Sequence, residues 1–250
     1  MSKAVELENL IFRYATHTNS KHASINASSN NNKDTNHAPL LNIPTWSVAA
    51  GQKHFILGPS GSGKSTLLNL LAGLLVPTSG KVTVLGEQIS RLSARKRDKF
   101  RADHIGYIFQ QFNLVPYLNA IDNIKLANHF ASRPQQKNVE HAILSLLERL
   151  SIDSNDWRRP VNLLSVGQQQ RIGIARALIN QPKLIIADEP TSSLDTQARN
   201  SFIDLLIALC NEQQATLLFV SHDTQLATHF DQVASLQAIN HPPSAARGQH

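Results

Sequence analysis

The sequence predicts an α/β protein with a mainly parallel sheet and helices on both of its faces. Leu184–Ala187 and Thr216–Val220 are short, continuous apolar runs, the pattern of strands buried on both sides. From Ile43 onward such runs alternate with helix-length segments, the order that βαβ crossovers produce. A chain of 250 residues, 41% hydrophobic and 17% charged, has enough apolar material to bury a large core.

In chain order, residues 3–14 read as an edge strand or hairpin arm. Residues 16–38 carry Asn19, Asn26, Asn30, Asn31, Asn32 and Asn36 among serines and histidines, too polar and too simple for a core. They are expected to form a surface loop or disordered insertion. Its histidines (His17, His22 and His37) lack metal-ligand spacing. Lys53–Leu57 is a strand, Lys64–Leu75 an apolar helix, and Lys81–Leu85 and Ile105–Phe109 two more strands. Asn119 to Leu150 is mostly helical with a break near Arg133-Pro134, and helices follow at Gln169–Ile179 and Ala198–Cys210. The helical stretch near 90–163 is too long for one crossover and reads as an inserted subdomain. The expected organisation is one domain over 1–236, then a polar, frayed tail over 237–250.

The net charge of +6 suits nucleotides, nucleic acid or an anionic membrane face, and does not choose among them. Cys210 is the only cysteine, so no internal disulfide forms, which fits a reducing compartment. Its apolar helical setting predicts a buried structural thiol. The N-terminus lacks the apolar core of a signal peptide, and no run approaches the ~20 apolar residues that span a bilayer. Any membrane link is expected to go through a partner.

Chemistry concentrates in three segments. Gly58-Pro59-Ser60-Gly61-Ser62-Gly63-Lys64-Ser65 fits G-x-x-x-x-G-K-[ST] between a strand and a helix, the setting of a phosphate-binding loop. Its glycines let backbone N–H groups turn inward, and the helix start adds positive potential. Lys64 is placed to reach β- and γ-phosphates, Ser65 to ligate Mg²⁺, and Thr66 to donate to the α-phosphate. A bare glycine-rich turn is the bland reading, which the strand–loop–helix context disfavours. The second segment, Leu184 to Glu189, is an apolar strand ending in two acids. At the carboxyl end of a parallel strand Asp188 could hold Mg²⁺ and Glu189 could polarise a water. A solvated acidic turn would look the same without the loop. In the third, Leu164 to Gln168, Ser165 and Gln168 form S-x-x-Q, a capping box, whose helix start also offers N–H groups to an anion.

These segments, with others in order, resemble the nucleotide-binding domains of ABC transporters over nearly the whole chain. Gln110 in Ile105-Gly-Tyr-Ile-Phe-Gln110 resembles the Q-loop, and Leu164–Gln168 the signature motif, LSGGQ in most members. Ser192-Ser-Leu-Asp195 resembles the D-loop, His222 the switch histidine, and Tyr14 stands where an aromatic stacks on adenine. The resemblance implies a P-loop NTPase fold with a mainly parallel sheet, an N-terminal antiparallel β subdomain and an inserted α-helical subdomain. It further implies ATP and Mg²⁺ as cofactors, and a head-to-tail dimer in which each ATP touches one copy's phosphate loop and the other's signature helix. Ser165, Gly167 and Gln168 would then cradle the γ-phosphate on the partner. Gln110 would sense that phosphate and Mg²⁺, Glu189 would be the general base, and His222 would position it. The implied partners are a second copy and an integral membrane permease, with no nucleic acid, on the cytoplasmic face of the inner membrane.

Phe109 to Ile124 and Gly58 to Leu75 are similar to the lipoprotein-release and macrolide-efflux group, although amino-acid importers share much of the pattern. Val166 departs from the usual signature glycine; at positive φ a β-branched residue would cost ~1–2 kcal/mol. The insertion after Tyr14 separates it from the loop, and from the short stretch after Leu236 no regulatory domain is expected. A soluble ABC ATPase acting on DNA or ribosomes is the alternative, but the coiled coils, zinc modules or second cassette of such proteins have no counterpart here. A small-molecule kinase would explain neither Leu164–Gln168 nor His222.

Overall fold

The computed structural model describes residues 2–14, 38–131, 138–192 and 194–241; most of the insertion expected at 16–38 lies outside them. The chain opens with β1 (Lys3–Phe12) and β2 (Leu41–Ala49), followed by β3 (Lys53–Leu57), α1 (Lys64–Leu71) and β4 (Ser79–Val84). Next come α2 (Ala94–His104), β5 (Ile105–Ile108), α3 (Ala120–Phe130), α4 (Val139–Arg149) and α5 (Val166–Leu178). The order closes with β6 (Leu184–Asp188), α6 (Thr196–Glu212), β7 (Thr216–Ser221), β8 (Gln232–Ser235) and the single turn α7 (Leu236–Ile239).

Five strands form one parallel sheet in the order β5-β6-β7-β3-β8, and three form an antiparallel sheet in the order β2-β1-β4. Of the two readings of the first segment, the hairpin arm agrees with the antiparallel pairing of β1 with β2 and the edge strand does not: β1 sits in the middle, flanked by β2 and β4. Its apolar alternation fits either position, and only pairing with the distant β4 decides. The strand period of two divides the parallel sheet between two cores. Ile185, Ala187, Leu217 and Phe219 face a core shared with α3, α4, α5 and α6, and Leu184, Ile186, Leu218 and Val220 face one shared with α1 and the antiparallel sheet. Cys210 is fully buried in the first core, and burial pushes its thiol up to about 12, as an inert structural cysteine requires.

The helix at Lys64 stops at Leu71, short of Leu75, because left-handed Gly73 (φ 68°) ends it. The polar tail expected from 237 begins with α7 and is pinned as far as His241. The His241 N–H donates to Asn42 O (2.7 Å), and Asn240 exchanges side-chain bonds with Asn42 N and Leu40 O. Asparagine supplies both a donor and an acceptor, so a polar sequence here is an anchor.

Candidate functional site

Four adjacent parallel strands deliver their carboxyl ends to one edge. Register pairs Ile108 with Ala187, Asp188 with Val220, and Leu57 with Ser221. Gly58, Gln110, Glu189 and His222 therefore emerge side by side from segments far apart in sequence, at the place where parallel sheets bind ligands.

The loop after β3 needs its glycines. Gly61 and Gly63 lie at φ 77° and 99°, and a Cβ on Gly58 would come within 2.8 Å of Ser62 Oγ. Gly63 caps α1, so Lys64 is its first helical residue. Lys64 is 5% exposed, and its Nζ donates to Gly58 O (2.8 Å) and Pro59 O (2.9 Å) and pairs with Glu189 Oε1 at 3.1 Å. A buried ammonium requires such compensation. Glu189 Oε2 lies 3.0 Å from His222 Nδ1, so one carboxylate links the lysine to the histidine. Ser65 Oγ donates to Asp188 Oδ1 (3.2 Å). Burial raises the Asp188 carboxyl above the ordinary carboxylate range, with the Ser65 bond opposing it and the Glu189 charge adding to it. Tyr107 is raised as well, by burial and by the neighbouring Asp188.

A cavity of about 310 Å3 opens on this edge, lined by Ser60, Gly61, Gly63, Lys64, Ser65, Thr66, Gln110, Glu189 and Leu40. Tyr14 reaches its rim, where its hydroxyl lies 2.9 Å from Thr66 Oγ1 and its ring packs edge-on against Phe12. The ring remains largely exposed. Ser62 Oγ is buried without a hydrogen-bond partner among the described residues.

The signature segment lies elsewhere. None of Ser165, Gly167 and Gln168 lines the loop cavity; Gly167 borders a separate one of about 290 Å3 with Leu194 and Asp195. The capping box is complete: Gln168 N donates to Ser165 Oγ (3.3 Å) and Ser165 N to Gln168 Oε1 (3.0 Å). Gln168 Nε2 donates to Asp156 Oδ2 (2.6 Å), so both ends of its amide help to hold the turn. Val166 opens α5, is half exposed, and is not in the left-handed region. The strain expected of valine is absent, because the capping box places this residue inside the helix.

Glu189 carries strain of its own. It sits at φ 45° immediately before Pro190, a position that proline steers towards extended backbone. Sequence reading missed two side chains of α5 that act near here. Gln170 is 2% exposed and donates to Pro190 O (2.6 Å). Arg176 donates to Phe112 O (2.5 Å) and Asn113 O (2.6 Å), just beyond Gln110, with its guanidinium 5.9 Å from the Phe109 ring. The available signal was periodic: Gln170, Ile174 and Ala177 share the buried stripe of α5, and a polar residue in such a stripe needs a partner.

The parallel sheet and its glycine loop running into a helix define a P-loop NTPase. A model of the ABC transporter family matches residues 41–192. An uncharacterized ABC transporter ATP-binding protein of Mycobacterium tuberculosis is 39% identical over 208 residues, 83% of each chain. The lipoprotein-releasing system ATP-binding protein LolD of Hydrogenovibrio crunogenus is 39% identical over 193 residues, 77% of this chain and 83% of LolD. The macrolide export ATP-binding/permease protein MacB of Rhodopirellula baltica is 41% identical over 201 residues, 80% of this chain but 29% of MacB. Among solved structures, a dimeric post-hydrolysis state of the ATP-binding cassette MJ0796 bound to ADP and Pi aligns with TM-score 0.77 at 33% identity. That alignment covers 92% of this chain and 93% of the other. The chain belongs to the ABC transporter family, as an ATP-binding subunit.

Proposed function

We propose that this subunit hydrolyses ATP in a head-to-tail dimer and thereby drives a separate membrane permease, in export, lipoprotein release or a related mechanical task. One observation carries the reading: the residues expected at one ATP divide between two surfaces. Lys64, Ser65, Gln110 and Glu189 share one cavity, while Ser165 and Gly167 stand outside it. A second copy would close each site. The likeness to the MJ0796 dimer and to LolD and MacB supports both the pairing and the subgroup.

In the loop cavity, inward N–H groups and Lys64 bind the phosphates, and Tyr14 offers an exposed ring to adenine. Phosphate oxygens compete with Glu189 for Lys64, which frees Glu189 Oε1 to face the attacking water. Glu189 takes that water's proton as oxygen attacks the γ-phosphorus and the bond to the bridging oxygen breaks. His222 holds the other carboxylate oxygen. Ser165 Oγ and Gly167 N–H reach the γ-phosphate of the partner's ATP, with Gln168 bracing them. The oxygen donors of Ser65 and Asp188, with Gln110 on the rim, fit Mg²⁺, which favours one or two carboxylates beside phosphate oxygens. When bound, Mg²⁺ neutralises charge on the phosphates. Among the described residues no helix is long and apolar enough to cross a membrane; we place the subunit on the cytoplasmic face of the inner membrane through its permease.

The test is Ser165→Arg. It should abolish hydrolysis while ATP affinity of the isolated chain, measured by equilibrium binding, stays within about twofold. Equal loss of both would count against a contact made across the dimer.

A further inference from the structure

We infer that Gln170 is a positioning residue that holds the Glu189 carboxylate in place from the signature helix. The inference rests on the hydrolytic reading above, in which Glu189 is the base.

Glu189 occupies a backbone conformation that its side chain and the following proline both disfavour. Such a conformation persists only where its surroundings over-determine it. Three backbone restraints surround it: Glu189 N donates to Val220 O (3.0 Å), Ser192 N donates to Glu189 O (3.3 Å), and Gln170 Nε2 donates to Pro190 O (2.6 Å). The first two run along the sheet edge and within the turn. Only the third comes from another layer. Pro190 is buried and has no N–H of its own, so its carbonyl is the one backbone group through which the turn at that residue can be gripped. Gln170 is itself buried, and its amide holds the turn at Pro190 O.

The placement of Gln170 on α5 extends the consequence. Five residues before it, Ser165 caps the same helix and, on the reading above, meets the partner's ATP. Each copy would thus carry its contribution to the partner's site and the support of its own base on one rigid element. A shift at Ser165 when the partner's nucleotide binds would reach Glu189 through a single hydrogen bond. This side chain is a physical link by which occupancy of one site reports to the other.

Gln170→Met keeps length and apolar volume but removes the donor. Gln170→Asn keeps the amide but withdraws it by one methylene. Two measurements on the full chain test the inference. In steady-state hydrolysis both variants should lose kcat by about 10- to 100-fold, the scale of an ångström-level misplacement. KM and equilibrium ATP affinity should stay within about twofold, and the Hill coefficient should fall towards one. In hydrogen–deuterium exchange without nucleotide, the amides of Glu189 and Ser192 should exchange at least about tenfold faster than in the parent chain, with the rest of the sheet unchanged. If the Met variant does not fold, the Asn variant decides. Unchanged kcat and exchange in a folded variant overturn the positioning role. Faster exchange in the variants, beside a parent chain that itself hydrolyses no ATP, would uphold the grip on the turn and sink the hydrolytic reading instead.

Discussion

Replacing Val166 by glycine restores the commonest signature sequence, and the structure predicts that this weakens the protein slightly. Val166 is the first residue of α5, with negative φ, behind a complete Ser165–Gln168 capping box. Its side chain is 52% exposed, so little packing is lost. Glycine in a helix costs about 1 kcal/mol relative to alanine, and valine roughly half of that. The net cost of Val166→Gly is therefore about 0.5 kcal/mol, or ~1–2 °C in Tm for a chain of this size. The N–H of residue 166 is retained, so kcat should change by no more than about threefold. Urea titration followed by circular dichroism, with ATPase rates on the same samples, measures both. A stabilisation above ~1 kcal/mol would refute the reasoning, because it would mean that valine is held in the left-handed region after all.

Two further predictions concern the frame around the site. His54 is buried against Trp46, neither ring nitrogen has a hydrogen-bond partner among the described residues, and burial holds its imidazole below the ordinary value. In the unfolded chain it protonates near pH ~6.5, so its contribution is fully present above that pH and is lost as pH falls towards the folded value. Stability should therefore drop on acidification from pH 7 to 5, and His54→Phe should flatten that slope; an unchanged slope would remove His54 as the cause. A Cβ at Gly106 would lie 2.4 Å from Ala177 O, so β5 and α5 meet there as bare backbone. Gly106→Ala should cost about 1–3 kcal/mol, readable as a fall of ~2–12 °C in Tm; a shift under 1 °C would show that this seam is loose.

The sequence carried the local features well, because each has a local cause. The apolar run Leu184–Ala187 has the pattern of a strand buried on both faces, and S-x-x-Q at Ser165 that of a helix cap. What it did not carry was pairing at a distance. The central place of β1 depends on β4, and β8 is a short, half-exposed strand whose composition does not distinguish it from a loop. Polar groups behaved likewise. Asn240 and His241 read as tail because their partners, Asn42 and Leu40, are about two hundred residues away. Gln170 and Arg176 looked like ordinary helix polars until Pro190, Phe112 and Asn113 were placed beside them. At Val166 the residue was legible but its φ was not, and the cost turned on φ alone.

The central claim is that one chain holds half of each ATP site. Glu189→Gln keeps the shape of the side chain but cannot accept the proton, so ATP should bind and remain. Light scattering on a sizing column tests this directly. With ATP and Mg²⁺ the variant should move from one chain of 27.6 kDa to two, and return to one when nucleotide is removed. A variant that stays a single chain at saturating ATP, or that hydrolyses at the parent rate, would contradict the account.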